Sequence, residues 1–268
     1  MKVFPAPDLE YSRLVSSRLG IRQEIVQSSL NDIEFSLPEV IRILRSFDPM
    51  EIRNSVAIFL GLKTAKSLGY SRVLTGDAAD ELLAGYSFVA NLPEKEAISK
   101  LHHLWDVMHF SSIPLAKFLG IEALLPFLDD RVKEFATSDL PFEFLVNKNS
   151  TSGVVFGKFI LRKAFESELP QEIIWRKKTP IEYGSGTTEL PHVYSKSIDS
   201  LEFSEKKSRY LESDHVRLRD QKQLHYYEIY RREIGPPTSD PERRRCPGCT
   251  SNVPDKANFC TICGEYPI

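Results

Sequence analysis

The sequence predicts an α/β fold: a partial, doubly wound parallel sheet early in the chain, a mostly helical second half, and a small cysteine-rich tail. Three observations carry that expectation. Up to Tyr86, short apolar runs alternate with helical patterns, as strands and crossover helices do in a parallel layer. Beyond Tyr86 the apolar positions keep only helical spacing. All four cysteines stand at or after Cys246, in two CxxC pairs.

Taken in order, Met1 to Phe4 reads as the stub of a strand, and Pro5 to Pro7 as a stiff turn. Asp8 can cap a helix whose apolar residues Tyr11, Leu14, Val15 and Leu19 share a face and which Gly20 stops. Ile21 to Val26 reads as a strand. Ser36 and Glu39 have capping-box spacing with Pro38 in the first turn, so a helix is expected to start there and bury Leu37, Val40, Ile41 and Leu44. A further helix from about Ser55 to Leu68 closes at Gly69 and leads into a short strand, Arg72 to Leu74.

The stretch LTGDAADELLAGY, Leu74 to Tyr86, organises the rest. A strand feeds a turn of small residues, and the turn feeds a helix with acids at its start. Ligands bind at the carboxyl ends of strands in open parallel sheets. Thr75, Gly76, Ala78 and Ala79 let a phosphate-bearing ligand approach the backbone, whereas Asp77, Asp80 and Glu81 would repel it unless a divalent cation intervened. Magnesium nucleotide satisfies both conditions; on the residues alone an ordinary acidic helix start capped by Asp77 or Asp80 accounts for the stretch equally well.

After Tyr86, helical spacing continues through Ala97, Ile98, Leu101, Leu104, Trp105 and Met108, then from about Ile113 to Gly120 and from Lys158 to Glu168. His102, His103 and His109 have no fixed acidic partner nearby and read as surface or packing residues. Gly184-Ser185-Gly186 follows no strand and reads as a flexible surface loop. The charged run from about Tyr194 to Glu233 reads as a solvated helix face, and Gly235 to Pro241 as a stiff linker. The expected organisation is a main domain over residues 1–234, a linker over 235–242 and a small module over 243–268.

A net charge of −2 argues against wholesale nucleic-acid binding. No apolar run reaches membrane-spanning length and no signal-peptide core is visible, so the expected location is cytoplasmic. The pairs Cys246/Cys249 and Cys260/Cys263 are separated by ten residues, and each can present two thiolates to one tetrahedral ion. In a chain without secretory features this spacing points to a structural zinc ribbon rather than disulfides. Arg243, Arg244 and Arg245 beside it are a weak signal for RNA or an acidic partner.

The key stretch resembles the SGxGxDE...GGY signature of the synthetase domain of glutamine-dependent asparagine synthetases. Other pieces match in the same order. Asp8-Leu9-Glu10-Tyr11 resembles the family's PDLEYA, Ile52-Arg53-Asn54-Ser55 its IRAS, and Pro126-Phe127-Leu128-Asp129 its PFLD. Lys158 to Glu168 resembles the family's K-x-x-LR-x-AFE helix, and Leu169-Pro170 with Trp175 to Lys178 its LP...WR-x-K. The likeness covers roughly residues 3 to 190.

The resemblance implies an ATP-pyrophosphatase-like fold that activates a carboxylate, aspartate or similar, with Mg-ATP and lets ammonia attack the acyl-adenylate. Asp80 matches the magnesium-binding acid and Lys178 the lysine that stabilises the transition state. Asp77 matches a glutamate and is one methylene shorter, while Thr75, Gly76 and Glu81 fall in the nucleotide-binding turn. Leu124 stands where the family has arginine, which leaves Glu122 without that neighbour. The family's SGGxDS pyrophosphate loop has no match, and Lys2 stands where its glutaminase cysteine would be, so no glutaminase activity is expected of this chain. The loop and an ammonia source are therefore expected from a longer reading frame or a protein partner. A tRNA-modifying relative and a non-catalytic zinc-dependent scaffold are the alternatives.

Overall fold

In the computed structural model, which describes residues 5–268, the strand expected at Met1 to Phe4 lies outside the described residues. The first elements are α1 (Asp8–Leu19), α2 (Leu30–Leu44), α3 (Pro49–Ser67), β1 (Arg72–Leu74), α4 (Ala79–Leu82), α5 (Ser87–Ala90), α6 (Glu94–Val107), α7 (Ser112–Phe118) and β2 (Glu122–Leu124). Then come α8 (Asp130–Glu134), α9 (Phe142–Leu145), β3 (Asn147–Lys148), β4 (Val155–Phe156), α10 (Phe159–Ala164) and α11 (Gln171–Ile174). The last four are α12 (Ile181–Ser185), α13 (Leu190–Ser197), α14 (Ser200–Asp214) and α15 (Gln221–Glu233). The architecture is mostly helical α/β with a small parallel sheet. None of the described helices is long and apolar enough to cross a membrane.

The chain divides into two units, one built from residues 7–25 and 68–180, the other mainly from 26–67 and 181–268. In the first, β1 and β2 pair in parallel with Arg72 opposite Glu122 and Leu74 opposite Leu124. Leu82, Val89, Ala97 and Leu101 form its core, and Trp105 closes it by donating its indole N–H to the Glu81 carbonyl at 3.0 Å. His102 lies against the Trp105 ring, in keeping with a packing role.

Ile21 to Val26 forms no strand. Among the described residues no neighbouring backbone offers it a ladder, and Gln23 instead folds back on α1, bonding Ser12 at 2.8 Å and Ser16 at 3.2 Å. The expected wide sheet is therefore, among the described residues, a two-stranded pair plus the β3–β4 hairpin.

In the second unit α2 starts earlier than its Ser36 signal suggests. A complete capping box forms between Ser29 and Asp32, which leaves Ser36 and Pro38 inside the helix. The Ser36 hydroxyl turns back to the Asp32 carbonyl at 2.8 Å rather than capping anything. Likewise α3 begins at Pro49, where Asp48 accepts from the Met50 N–H at 3.1 Å.

The segment around Gly184 is not a flexible surface loop. It is α12, with Gly184 and Glu182 buried, pinned by the Glu182 N–H to Asn54 Oδ1 at 3.1 Å and the Thr187 hydroxyl to the Arg53 carbonyl at 3.2 Å. Nor is the whole run from Tyr194 to Glu233 a solvated face. In α15, Tyr226 and Tyr227 are fully buried, and Phe47 packs edge-on to Tyr227 at 4.9 Å. Asp214, at the end of α14, takes the Tyr227 hydroxyl and Arg231 Nε, each at 2.6 Å. The charges flank an aromatic core, which charge counting does not reveal.

Candidate active site and metal centre

The turn after β1 is shaped by Ala78, which sits in the left-handed region at φ 71° and directs the chain into α4. That places Asp80 in the first turn of α4. Gly85 makes room for it, since a Cβ there would overlap the Asp80 carboxylate, and a Cβ on Gly157 would overlap the Ala84 carbonyl. With Gly157 seated there, the Lys158 N–H reaches the Leu83 carbonyl at 2.7 Å. Gly157→Ala should thus push the Lys158 segment off α4 and destabilise this unit by about 1–3 kcal/mol, as overpacking does. Thermal melting checks it, and an unchanged midpoint would mean that the close approach is not needed.

Asp80 is held between two lysines. Lys158 Nζ lies 2.9 Å from Oδ1 and Lys178 Nζ 3.2 Å from Oδ2. The three side chains are only 19, 22 and 26 % exposed, so water screens the cluster weakly. Burial pushes the Asp80 carboxyl up, but the two ammonium groups more than offset it and hold the carboxyl below its usual range. Lys178 also lies over the Tyr86 ring, 5.9 Å from its centroid. Tyr86 donates its hydroxyl to Glu81 Oε1 at 2.6 Å, and burial followed by Glu81, Asp80 and Asp77 drives its ionisation far upward.

The other turn residues have distinct surroundings. Asp77 Oδ2 accepts from the Thr75 hydroxyl at 2.9 Å and from the Ser112 hydroxyl. Gly76 is exposed, with open space where a Cβ would stand, so backbone remains approachable at this point. Glu122 finds Arg72, its ladder partner, at 2.9 Å.

Next to the cluster opens a cleft of about 470 Å³. Lys158, Arg162, Arg176, Lys177 and Lys178 line it against a single acid, Asp8, which is itself paired with Arg176. Arg162 organises the wall by donating to the carbonyls of Gly157, Ile174 and Arg176. A half-apolar cleft with that cationic excess suits a polyanion carrying an apolar group.

Asp80, Lys178, Glu81 and Asp77, singled out by sequence, thus belong to one unit, and the structure brings the first two into contact. Lys158, Tyr86 and Ser112 join them. Lys158 and Tyr86 stood inside matched motifs without a role; Ser112 carried no sequence signal.

In the tail, Cys246, Cys249, Cys260 and Cys263 are buried with their sulfurs within 4.8 Å of one another. Sγ separations are 3.6 Å for Cys246–Cys263 and 3.8 Å for Cys249–Cys260. A tetrahedral ion with bonds of about 2.3 Å requires edges of about 3.8 Å, so these sulfurs fit one. Hydrogen bonds from the other three thiols draw Cys246 far below the usual thiol range and push Cys249 and Cys263 up.

The second knuckle is embedded in its unit. Its carbonyls from Thr261 to Gly264 all accept bonds: Ser46 Oγ to Thr261 at 2.8 Å, the Phe47 N–H to Ile262 at 2.7 Å, Gln223 to Cys263 at 2.8 Å, and Arg219 to Gly264 at 2.7 Å. Arg244 is consumed internally, donating to the carbonyls of Pro254, Asp255 and Ala257, and Arg243 lies 3.7 Å from Asp240. Arg243 and Arg245 remain exposed.

A family model described as asparagine synthase matches residues 3–113 and 114–234. Among curated proteins, the chain is similar to asparagine synthetase [glutamine-hydrolyzing] 2 of Lotus japonicus, 30% identical over 192 residues that make up 68% of this chain and 32% of that protein. The protein of the same description from Arabidopsis thaliana is 32% identical over 192 residues, again 68% and 32%. Asparagine synthetase [glutamine-hydrolyzing] of Sandersonia aurantiaca is 28% identical over 255 residues, 90% of this chain and 47% of that protein. The chain spans about a third to a half of the length of these relatives.

Proposed function

Because the chain belongs to the asparagine synthase family, we propose that it carries the ATP-using half of an amide-forming ligase: a carboxylate, aspartate in the first instance, is adenylated by Mg-ATP and then aminated by ammonia. The observation that carries this reading is the contact of Asp80 with Lys158 and Lys178 beside a cationic cleft. Asp80 would hold a magnesium ion arriving with the nucleotide, which would neutralise phosphate charge there. In that role its lysines trade the carboxylate for phosphate oxygens. Lys178 stabilises charge that develops as pyrophosphate leaves. Thr75, Gly76 and Glu81 border the nucleotide, Glu81 acting through Tyr86. Asp77 takes a proton from the attacking nitrogen.

The wider assignment follows from the same premise. Residues 1–234 form an ATP-pyrophosphatase-like domain, 235–242 a connector and 243–268 a zinc ribbon whose closed four-sulfur shell is structural rather than catalytic. Among the described residues only one side of β1 is paired, and the backbone groups of Arg72 and Leu74 face the other. A further strand carrying a phosphate-binding loop, from a longer reading frame or a partner that also delivers ammonia, would add there. The test is pyrophosphate release on mixing the protein with aspartate, ammonium chloride and Mg-ATP, alone and with any longer form the genomic reading frame supplies. Release that depends on aspartate supports the reading; none from either form refutes it.

A further inference from the structure

Asp77 is gripped on one side only. Its Oδ2 accepts both the Thr75 hydroxyl, at 2.9 Å, and the hydroxyl of Ser112, the first residue of α7. Among the described residues Oδ1 accepts nothing. Ser112 is 1 % exposed, and Asp77 Oδ2 is the partner its hydroxyl finds. Two donors on one oxygen restrain the carboxylate from rotating. Both bonds fall on Oδ2, which leaves Oδ1 as the acceptor still open. A carboxylate shorter than its counterpart by a methylene loses reach, and pinning restores the orientation that a longer, looser chain would have to find.

We propose that Ser112 is a positioning residue for the amination step: with Thr75 it fixes Asp77 so that Oδ1 faces the attacking nitrogen. The inference rests on the ligase reading above. As ammonia adds, the new carbon–nitrogen bond forms, and the carbon–oxygen bond to AMP breaks with its electron pair going to the departing phosphate. The one proton that the nitrogen sheds passes to Oδ1. Ser112 does not touch the substrate and takes no part in adenylation.

Two half-reactions separate the outcomes. Exchange of labelled pyrophosphate into ATP, measured with aspartate and magnesium but no ammonia, reports adenylation alone; asparagine formation from ammonium chloride reports the whole sequence. Ser112→Ala should lower amide formation about tenfold, part of the ~10²–10⁴ that a placed base supplies, and leave exchange and the KM for ATP unchanged. Asp77→Glu should crowd Ser112 and impair amination, and the double variant Asp77→Glu/Ser112→Ala should recover part of that loss. Equal loss of exchange and amination in Ser112→Ala would overturn the proposal as mere structural damage. Unchanged amination would overturn it too, as would a double variant no better than its two single changes combined. Absence of exchange both in the unaltered protein and in any longer form that the genomic reading frame supplies would instead remove the ligase reading, and this proposal with it.

Discussion

Asp80→Asn should eliminate measurable Mg-ATP binding, lowering affinity by about two orders of magnitude or more, because a carboxamide brings no charge to a divalent cation. The same change leaves Lys158 and Lys178, each within 3.2 Å of the lost carboxylate, facing one another without a counter-charge. Breaking a partly buried ion cluster from one side costs about 3 kcal/mol, the low end of the usual range because both ammonium groups still reach water. Titration calorimetry with Mg-ATP separates the two effects if done well below the melting temperature. A variant that is less stable yet binds Mg-ATP as tightly as before would leave Asp80 a structural residue and remove its metal role.

Stripping the ion from the cysteine centre should have the largest effect on the fold. Structural zinc contributes about 10–16 kcal/mol in small modules, and the segment from Cys246 to Cys263 has no apolar core that could replace it. The effect should not stop at the tail. The Phe47 N–H, between α2 and α3, has the Ile262 carbonyl as its acceptor at 2.7 Å, and the Arg217 N–H has the Gly248 carbonyl at 2.8 Å. Both amides should lose hydrogen-exchange protection on chelation, while amides of α6 around Leu101 keep theirs. Protection that persists at Phe47 would show the α2–α3 turn to be stable without the metal.

Much of this was legible in the residues, and the misses share a cause. Asp80 and Lys178 stand out through their resemblance to two family motifs, and the structure puts them in contact. Lys158 was seen only as a helix start. Its role depends on Gly157 fitting against the Ala84 carbonyl, a contact between residues remote in sequence. Ser112 was invisible for the same reason. The helix start misplaced at Ser36 came from a genuine capping pattern that lost to an equivalent one at Ser29 and Asp32. Ile21 to Val26 had strand composition, but strand formation needs a neighbour, and composition cannot supply one. In α15 the charged residues were counted while Tyr226 and Tyr227, which decide its burial, were passed over.

Of the two units, one draws on residues from both ends of the described chain, 26–67 and 181–268, while the other is finished by residue 180. During synthesis the inserted unit can therefore mature on the ribosome while α2 and α3 wait, unpartnered, for α15 and the second knuckle to emerge. Their apolar faces stay open to chaperones or to neighbouring nascent chains for that interval.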